Sequence, residues 1–347
     1  MANIKDIARM AGVSAATVSN VLNGKSGAAG EAKAKEIFAA AEKAHYRPNA
    51  FAKNLKSKRS HTIGIITEDL TVFNTPEIVN GIEEYCEAQG YEILLANMRL
   101  FKRYNNNLTD TPQHTVLFEN MMSSLLARQV EGVVYIGYHC RKIAHYPADP
   151  ALPFVYAYCL PANGQYPCVL FDDQQAAQEV GQILIGHGHR QIGVICGPLT
   201  SLNAQSRLLG YQKALYDAGV LYDGTKTLFG DWNRQSGYDC ANRLLDRGVT
   251  AIFAFNDLMA SGAYGCCLER GLSVGRDISI FGYDNADIAS AYAPPISSVA
   301  PPLDEMGRKS AELVLTEIHG ERVPAQAHCL PCTVYPRASV GDAPDKK

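Results

Sequence analysis

The stretch Val13, Ser14, Ala15, Ala16, Thr17, Val18, Ser19, Asn20, Val21, Leu22, Asn23 constrains this chain more than any other. Ser14 suits the cap of a helix in which Val18, Val21 and Leu22 fall on one face and Ala15, Ala16, Ser19 and Asn20 on the other. Upstream, Asn3 can cap a short helix whose apolar side is Ile4, Ile7 and Ala8, and Ala11, Gly12 and Val13 break it with a tight turn. A third helical pattern over residues 31–44 offers Ile37, Phe38 and Ala41 to close a small core. Two short helices joined by a glycine turn and backed by a third predict a helix-turn-helix unit. Its second helix turns an outward face towards a DNA major groove.

Ile4, Lys5, Asp6, Ile7 and Ala8, then Val13 and Ser14, Thr17, Val18 and Ser19, Leu22 and Asn23, and Tyr46, Arg47, Pro48 and Asn49 stand at telling spacings. The pattern resembles the amino-terminal signature of the lactose- and galactose-repressor family of bacterial transcription regulators. The resemblance implies that Ala15, Ala16 and Asn20 choose the base sequence and that Thr17 and Ser19 mostly hold phosphate. Ser14, Asn23, Lys53, Leu55 and Lys56 complete the DNA-binding residues it implies. Gly30 departs from the family pattern, standing where a capping serine is usual, and the loop 25–30 is unusually small and glycine-rich.

Charge supports a DNA-binding end. Residues 1–60 hold eleven Lys or Arg against four Asp or Glu, a net of +7, while the remainder holds twenty-one against thirty-one, a net of −10. A basic module on an acidic body fits a polyanion held at one end and argues against a protein that coats nucleic acid along its length. No apolar run approaches the length of a membrane span, and Met1, Ala2, Asn3, Ile4 and Lys5 do not read as a signal peptide. The expected location is therefore the cytoplasm, at the nucleoid. There the ten cysteines are expected to be reduced. Cys329 and Cys332 form the one Cys-x-x-Cys and lack a second ligand pair, which favours small buried hydrophobes over a zinc or redox site.

Residues 48–60 shift to Ala, Lys, Asn and Ser around Leu55 and read as a linker. Pro48 suits the first turn of a helix, and residues 49–55 allow two turns that are too short and polar to be stable alone. The family resemblance makes this a hinge helix that orders on operator DNA, with Leu55 entering the minor groove beside its twofold mate. A staple packing the linker onto its own body is the plainer reading of the same leucine.

From Thr62 short apolar runs at 62–66, 93–96, 132–136 and 154–157 alternate with amphipathic stretches such as 78–89 and 117–128. The series then repeats, with runs at 169–171, 191–195, 226–230, 251–255 and 279–282 between helical patterns at 175–185, 207–218, 236–247 and 257–270. The expected fold class is α/β: two doubly wound parallel-sheet lobes facing a cleft, behind a small all-α headpiece. The expected divisions are a headpiece at 1–47, a hinge at 48–60, an effector and dimerisation domain at 61–340 and a tail at 341–347. Within that domain the amino-terminal lobe takes about 61–160 and 292–323, and the carboxyl-terminal lobe about 161–291 and 324–340.

The resemblance extends over this body, to the effector domain the family shares with periplasmic sugar-binding proteins, through Gly81, Ile82, Glu83, Gln89, Gly90, Tyr91, Asp172, Gly188, His189, Arg190, Gly210, Tyr211 and Gly282. Asp173 and Ala176 depart from it, where Asn and Gly are common, and residues 99–115 run longer than the usual pattern. Arg207, Asn256, Asp257 and Asp284 at strand ends, with Trp232, make a sugar-binding constellation: forked donors and carboxylates bridge hydroxyls while the indole covers a pyranose face. The family match assigns effector contacts to Arg207, Trp232, Asn256 and Asp284, whereas Asp257 reads as a helix cap and an Arg207–Asp284 ion pair is the plainer alternative. On the facing loop, residues 68–74, the expected contacts are Asp69 and Phe73.

Gly24, Lys25 and Ser26 mimic the end of a phosphate loop but follow no strand, His187 and His189 lack a metal partner at ligand spacing, and no nucleophile elbow is present. No catalytic residue, metal or cofactor is expected. The reading is a homodimeric, effector-controlled transcription regulator, a repressor that binds a pseudo-palindromic operator and senses a small sugar. A purine-like effector stacked on Trp232 is the alternative within the family, and a two-lobe solute-binding protein or enzyme the alternative outside it.

Overall fold

Helix-forming and strand-forming stretches sort along the chain into two compact units, Met1–Ser60 and His61–Lys347. The structure is a computed structural model and describes residues 3–22, 25, 27–46, 59–104 and 111–344. The expected contacts at Asn23, Lys53, Leu55 and Lys56, and most of the expected hinge, lie outside the described residues.

In the first unit, helices span Ile4–Ala11, Ala15–Leu22 and Glu31–Lys43. Asn3 caps the first through a reciprocal pair: its side chain accepts from Lys5 N and Asp6 N, while Asp6 accepts from Asn3 N. Gly12 ends that helix in the left-handed region, at φ +63°, where a side chain would be strained. Ile7, Val18 and Ile37 are fully buried, with Ala8, Ala11, Val21 and Ala41 around them. Phe38 does not join this core. It is 53% exposed, because Ile37 and Ala41, four residues apart, set the buried stripe and Phe38 falls about 100° round the helix.

In the second unit, parallel pairing builds a six-stranded sheet in the order Ala327–Leu330, Cys168–Phe171, Phe154–Ala157, Gly132–Ile136, Thr62–Thr67, Glu92–Asn97. A separate four-stranded parallel sheet runs Ser279–Phe281, Ala251–Ala254, Ile192–Cys196, Thr227–Phe229. Helices Thr75–Ala88 and Leu303–Ile318 pack on the first sheet's side. Their backbones approach so closely that a Cβ on Gly81 would lie 2.0 Å from the Asp304 carbonyl oxygen, which is why glycine stands there.

The lobe divisions differ from those expected. Cys168–Phe171 and Ala327–Leu330 pair with each other and complete the first lobe's sheet, where the sequence pattern placed both in the second. Short apolar strands carry no local mark of which sheet they will join, and parallel neighbours are chosen by contacts far apart in the chain. The chain therefore changes lobe at Asp172, where helix Asp173–Gly186 begins and packs on helix Leu202–Asp217. A short antiparallel pair, Ser298–Ala300 with Thr333–Tyr335, accompanies the other crossings.

Candidate functional site

The helix Ala15–Leu22 is started by Ser14, whose hydroxyl accepts from Thr17 N at 3.0 Å and lies 2.9 Å from Thr17 Oγ1. Ser14 and Thr17 are thus tied to each other as a cap. Ala16 is exposed, and Ser19 and Asn20 are half-buried on the side away from Val18 and Val21. Ala15 turns partly inward and packs against the small core, although the sequence pattern placed it on the outward face. Ala16 and Asn20, one turn apart, remain the side chains best placed for groove edges.

Carboxyl ends of strands from both sheets meet in the second unit around a cavity of about 200 Å³, below the range of drug-sized pockets. Phe73, Arg207, Trp232, Asn256 and Asp284 line it, as the sequence pattern proposed. Asp69 does not. It is buried at 3% exposure and organises its own loop, accepting from Thr71 N, Thr71 Oγ1 and Phe101 N. The cavity also takes in Tyr138, His139 and Asn203, which sequence reasoning missed. Tyr138 and His139 follow the strand Gly132–Ile136, so the rule that ligands sit beyond strand carboxyl ends could have found them. Asn203, near the start of a helix, gave no such signal.

The second lobe holds Trp232 in place from two sides. Gly197 gives the indole its seat, since a Cβ there would fall 1.9 Å from Trp232 Cζ2. Asn256 caps helix Asp257–Glu269 through Met259 N and donates its Nδ2 to the Trp232 carbonyl at 2.9 Å. Both ends of its amide are thereby occupied, and Asn256 positions the indole. Asp257 is not the cap. It is 1% exposed and accepts from Ser298 Oγ and Ala286 N. Burial pushes its carboxyl up to about 7 against those two hydrogen bonds.

Arg207 pairs with Asp173, Nε to Oδ1 at 2.6 Å, and not with Asp284. Its Nη1 donates to the Phe255 carbonyl, and its Cζ lies 3.5 Å from the Tyr283 ring centroid and 6.0 Å from that of Trp232. Burial alone would depress the Arg207 pKa, and Asp173 more than reverses this. Asp284, at φ +100°, accepts no side-chain hydrogen bond among the described residues. Burial holds its carboxyl well above the usual carboxylate range, with Arg207 opposing.

On the facing lobe Glu68 is fully buried and carries four hydrogen bonds, from Tyr135 Oη, Tyr138 N and both terminal nitrogens of Arg141. Burial would raise its pKa, but Arg141 and these donors bring it below the ordinary value. The pair fixes the turn that presents Tyr138 and His139, and the His139 ring lies 6.4 Å from Trp232 across the cleft. Aromatic faces on two walls, one guanidinium and one open carboxyl suit a flat ligand with hydroxyl groups.

Comparisons with known proteins agree along the chain. Residues 3–49 match a family model described as bacterial regulatory proteins, lacI family, and residues 182–340 match a periplasmic binding protein-like domain. An HTH-type transcriptional repressor PurR from Pasteurella multocida is 32% identical over 326 residues, 92% of each chain. Among solved structures, the lac repressor dimer bound to operator and the anti-inducer ONPF is similar at TM-score 0.81 and 27% identity, over 98% of this chain and 99% of that one. A complex of the transcriptional regulator CelR with cellobiose is similar at TM-score 0.65 and 28% identity, over 98% and 100%. Among the described residues no helix is long and apolar enough to cross a membrane.

Proposed function

The chain belongs to the lacI family of bacterial regulatory proteins and is a transcriptional repressor with an effector-binding domain, and from that premise we propose that a carbohydrate in the Trp232 cleft controls its affinity for an operator. The observation that carries this is the seated indole of Trp232 beside Arg207 and Asp284, an apolar platform flanked by a donor and an open acceptor. That arrangement suits the two faces of a sugar ring. The similar CelR structure holds cellobiose, which supports the same chemical class here. We assign groove reading to Ala16 and Asn20, with Ala15, Thr17, Ser19 and Ser14 around them. Asn23, Lys53, Leu55 and Lys56 add backbone and minor-groove contacts in a homodimer on a pseudo-palindromic site in the cytoplasm.

The test joins the two ends of the molecule. Emission of Trp232, the single tryptophan, is followed through a panel of neutral mono- and disaccharides, and any saturating sugar is then added to the protein bound to its operator. The expected result is one sugar that changes both emission and operator affinity. Saturation by a nucleobase, with no sugar active, would replace the carbohydrate reading by the purine one.

A further inference from the structure

The residues lining the cleft include one arginine and no lysine. That arginine is already neutralised within the protein. Arg207 and Asp173 are 3% and 5% exposed and share the 2.6 Å hydrogen bond, and Asp173 is held in turn by Asn203, whose Nδ2 donates to its Oδ2 at 2.5 Å. Asn203 also reaches the opposite lobe, accepting from Cys140 N and Tyr158 Oη. The clamp is therefore built into the junction of the two lobes, and Asp173 cannot swing away without breaking it. Asp284 brings a carboxyl and no positive charge, and His139 is kept neutral, its pKa pushed down to about 4 by burial first and Arg141 next. The cleft offers an incoming anion no unpaired positive charge.

We propose that Asp173 is a specificity-determining residue: by clamping Arg207 it makes the cleft exclude anionic ligands, such as sugar phosphates and sugar acids, and admit neutral polyhydroxylated ones. Neutral hydroxyl groups can still accept from the remaining Arg207 N–H groups and donate to Asp284. A neutral side chain at 173, the asparagine common in the family pattern, would leave the guanidinium a full charge for a ligand to meet. The inference rests on the cleft being the effector site, and its test needs no sugar.

Full-length wild type, Asp173→Asn and Asp284→Asn are each titrated with inorganic phosphate while Trp232 emission is followed. An indole in the cleft does not register phosphate on the basic amino-terminal unit. Wild type and Asp284→Asn should show no saturable response at millimolar phosphate. Asp173→Asn should show one, at an apparent affinity about tenfold or more above the wild-type limit, as for a charge-assisted hydrogen bond to a released guanidinium. A saturable wild-type response, or a folded Asp173→Asn protein that gives none, overturns the proposal. If Asp173→Asn does not fold, Asp284→Asn is read first. Saturation of Asp284→Asn alone assigns the exclusion to Asp284 and overturns it; with Asp284→Asn silent, Asp173→Ser replaces Asp173→Asn, a saturable response upholding the proposal and silence from the folded protein overturning it. Failure of every sugar in the panel would remove the carbohydrate reading without touching this result.

Discussion

Glu68 and Arg141 face each other as a two-pronged ion pair beneath the cleft, Nη1 to Oε2 at 2.6 Å and Nη2 to Oε1 at 2.7 Å. Two parallel hydrogen bonds fix the angle between the planes as well as the distance, so the turn carrying Tyr138 and His139 has one orientation. The carboxylate is fully buried and also accepts from Tyr135 Oη and Tyr138 N, so all four of its hydrogen bonds hold it on one side of the cleft floor.

Glu68→Gln should therefore lower stability by about 3 to 5 kcal/mol, the usual cost of removing one partner of a buried pair. The pH dependence follows from the sign. The Glu68 pKa is lowered in the fold, so the pair's contribution is present above the unfolded value near 4.5 and is lost as pH falls below it. Urea unfolding of wild type between pH 6 and pH 3 should show that loss, and the variant should show less of it. Equal slopes would remove Glu68 from the account of acid stability.

Asp257 predicts the opposite slope. Its carboxyl is pushed up to about 7 by burial, so between roughly pH 4 and pH 7 the folded protein binds a proton that the unfolded chain releases. Stability from this group is greatest at low pH and falls as pH rises towards 7, by up to about 4 kcal/mol. Asp257→Asn should flatten the curve in that window. A variant that keeps the full slope would place its origin elsewhere.

Gly197→Ala tests the seat of the indole. The new methyl would overlap Trp232 Cζ2, so the ring must move although the backbone strand Ile192–Cys196 is complete before it. The expected outcome is a shifted Trp232 emission and effector affinity weaker by about 1 to 3 kcal/mol, with operator binding in the absence of effector unchanged. Unchanged effector affinity would show that the ligand does not rest on this ring.

Much of this was legible in the chain, for identifiable reasons. The headpiece core of Ile7, Val18, Val21 and Ile37 follows from helical period alone, and the strands of both sheets from short apolar runs between amphipathic helices. Sheet membership was not legible for Cys168–Phe171 and Ala327–Leu330, because their partners lie far apart in sequence. Phe73, Trp232, Asn256 and Asp284 were found because they follow strands; Arg207, read as a strand-end residue, lies inside helix Leu202–Asp217 and was found through the family motif alone. The clamp of Asp173 on Arg207 was missed: two positions ahead of the helix expected at 175–185, a charged residue looks like an ordinary helix-start acid until the fold brings Arg207 to it. Asp69 failed for the converse reason, since its short loop turns the carboxylate back onto Thr71 and Phe101.

The headpiece separates reading from holding. Thr17 is tied to Ser14 at the start of the helix, so Thr17→Ala removes a partner of the cap and should weaken binding to operator and to random DNA alike, with some loss of headpiece stability. Asn20 lies a turn beyond Ala16 on the outward face, and Ala16 offers at most contact with thymine methyl groups. Polar readout from this helix then rests heavily on one amide, which can donate to and accept from an adenine edge at once. Asn20→Ala should cost about 1 to 3 kcal/mol on the preferred operator, relax preference at one position in each half-site, and leave random DNA almost unaffected. Competition binding at one fixed salt concentration, with the operator and a scrambled duplex, measures the ratio directly. An equal loss on both duplexes would make Asn20 a backbone contact and leave the sequence preference to residues outside this helix.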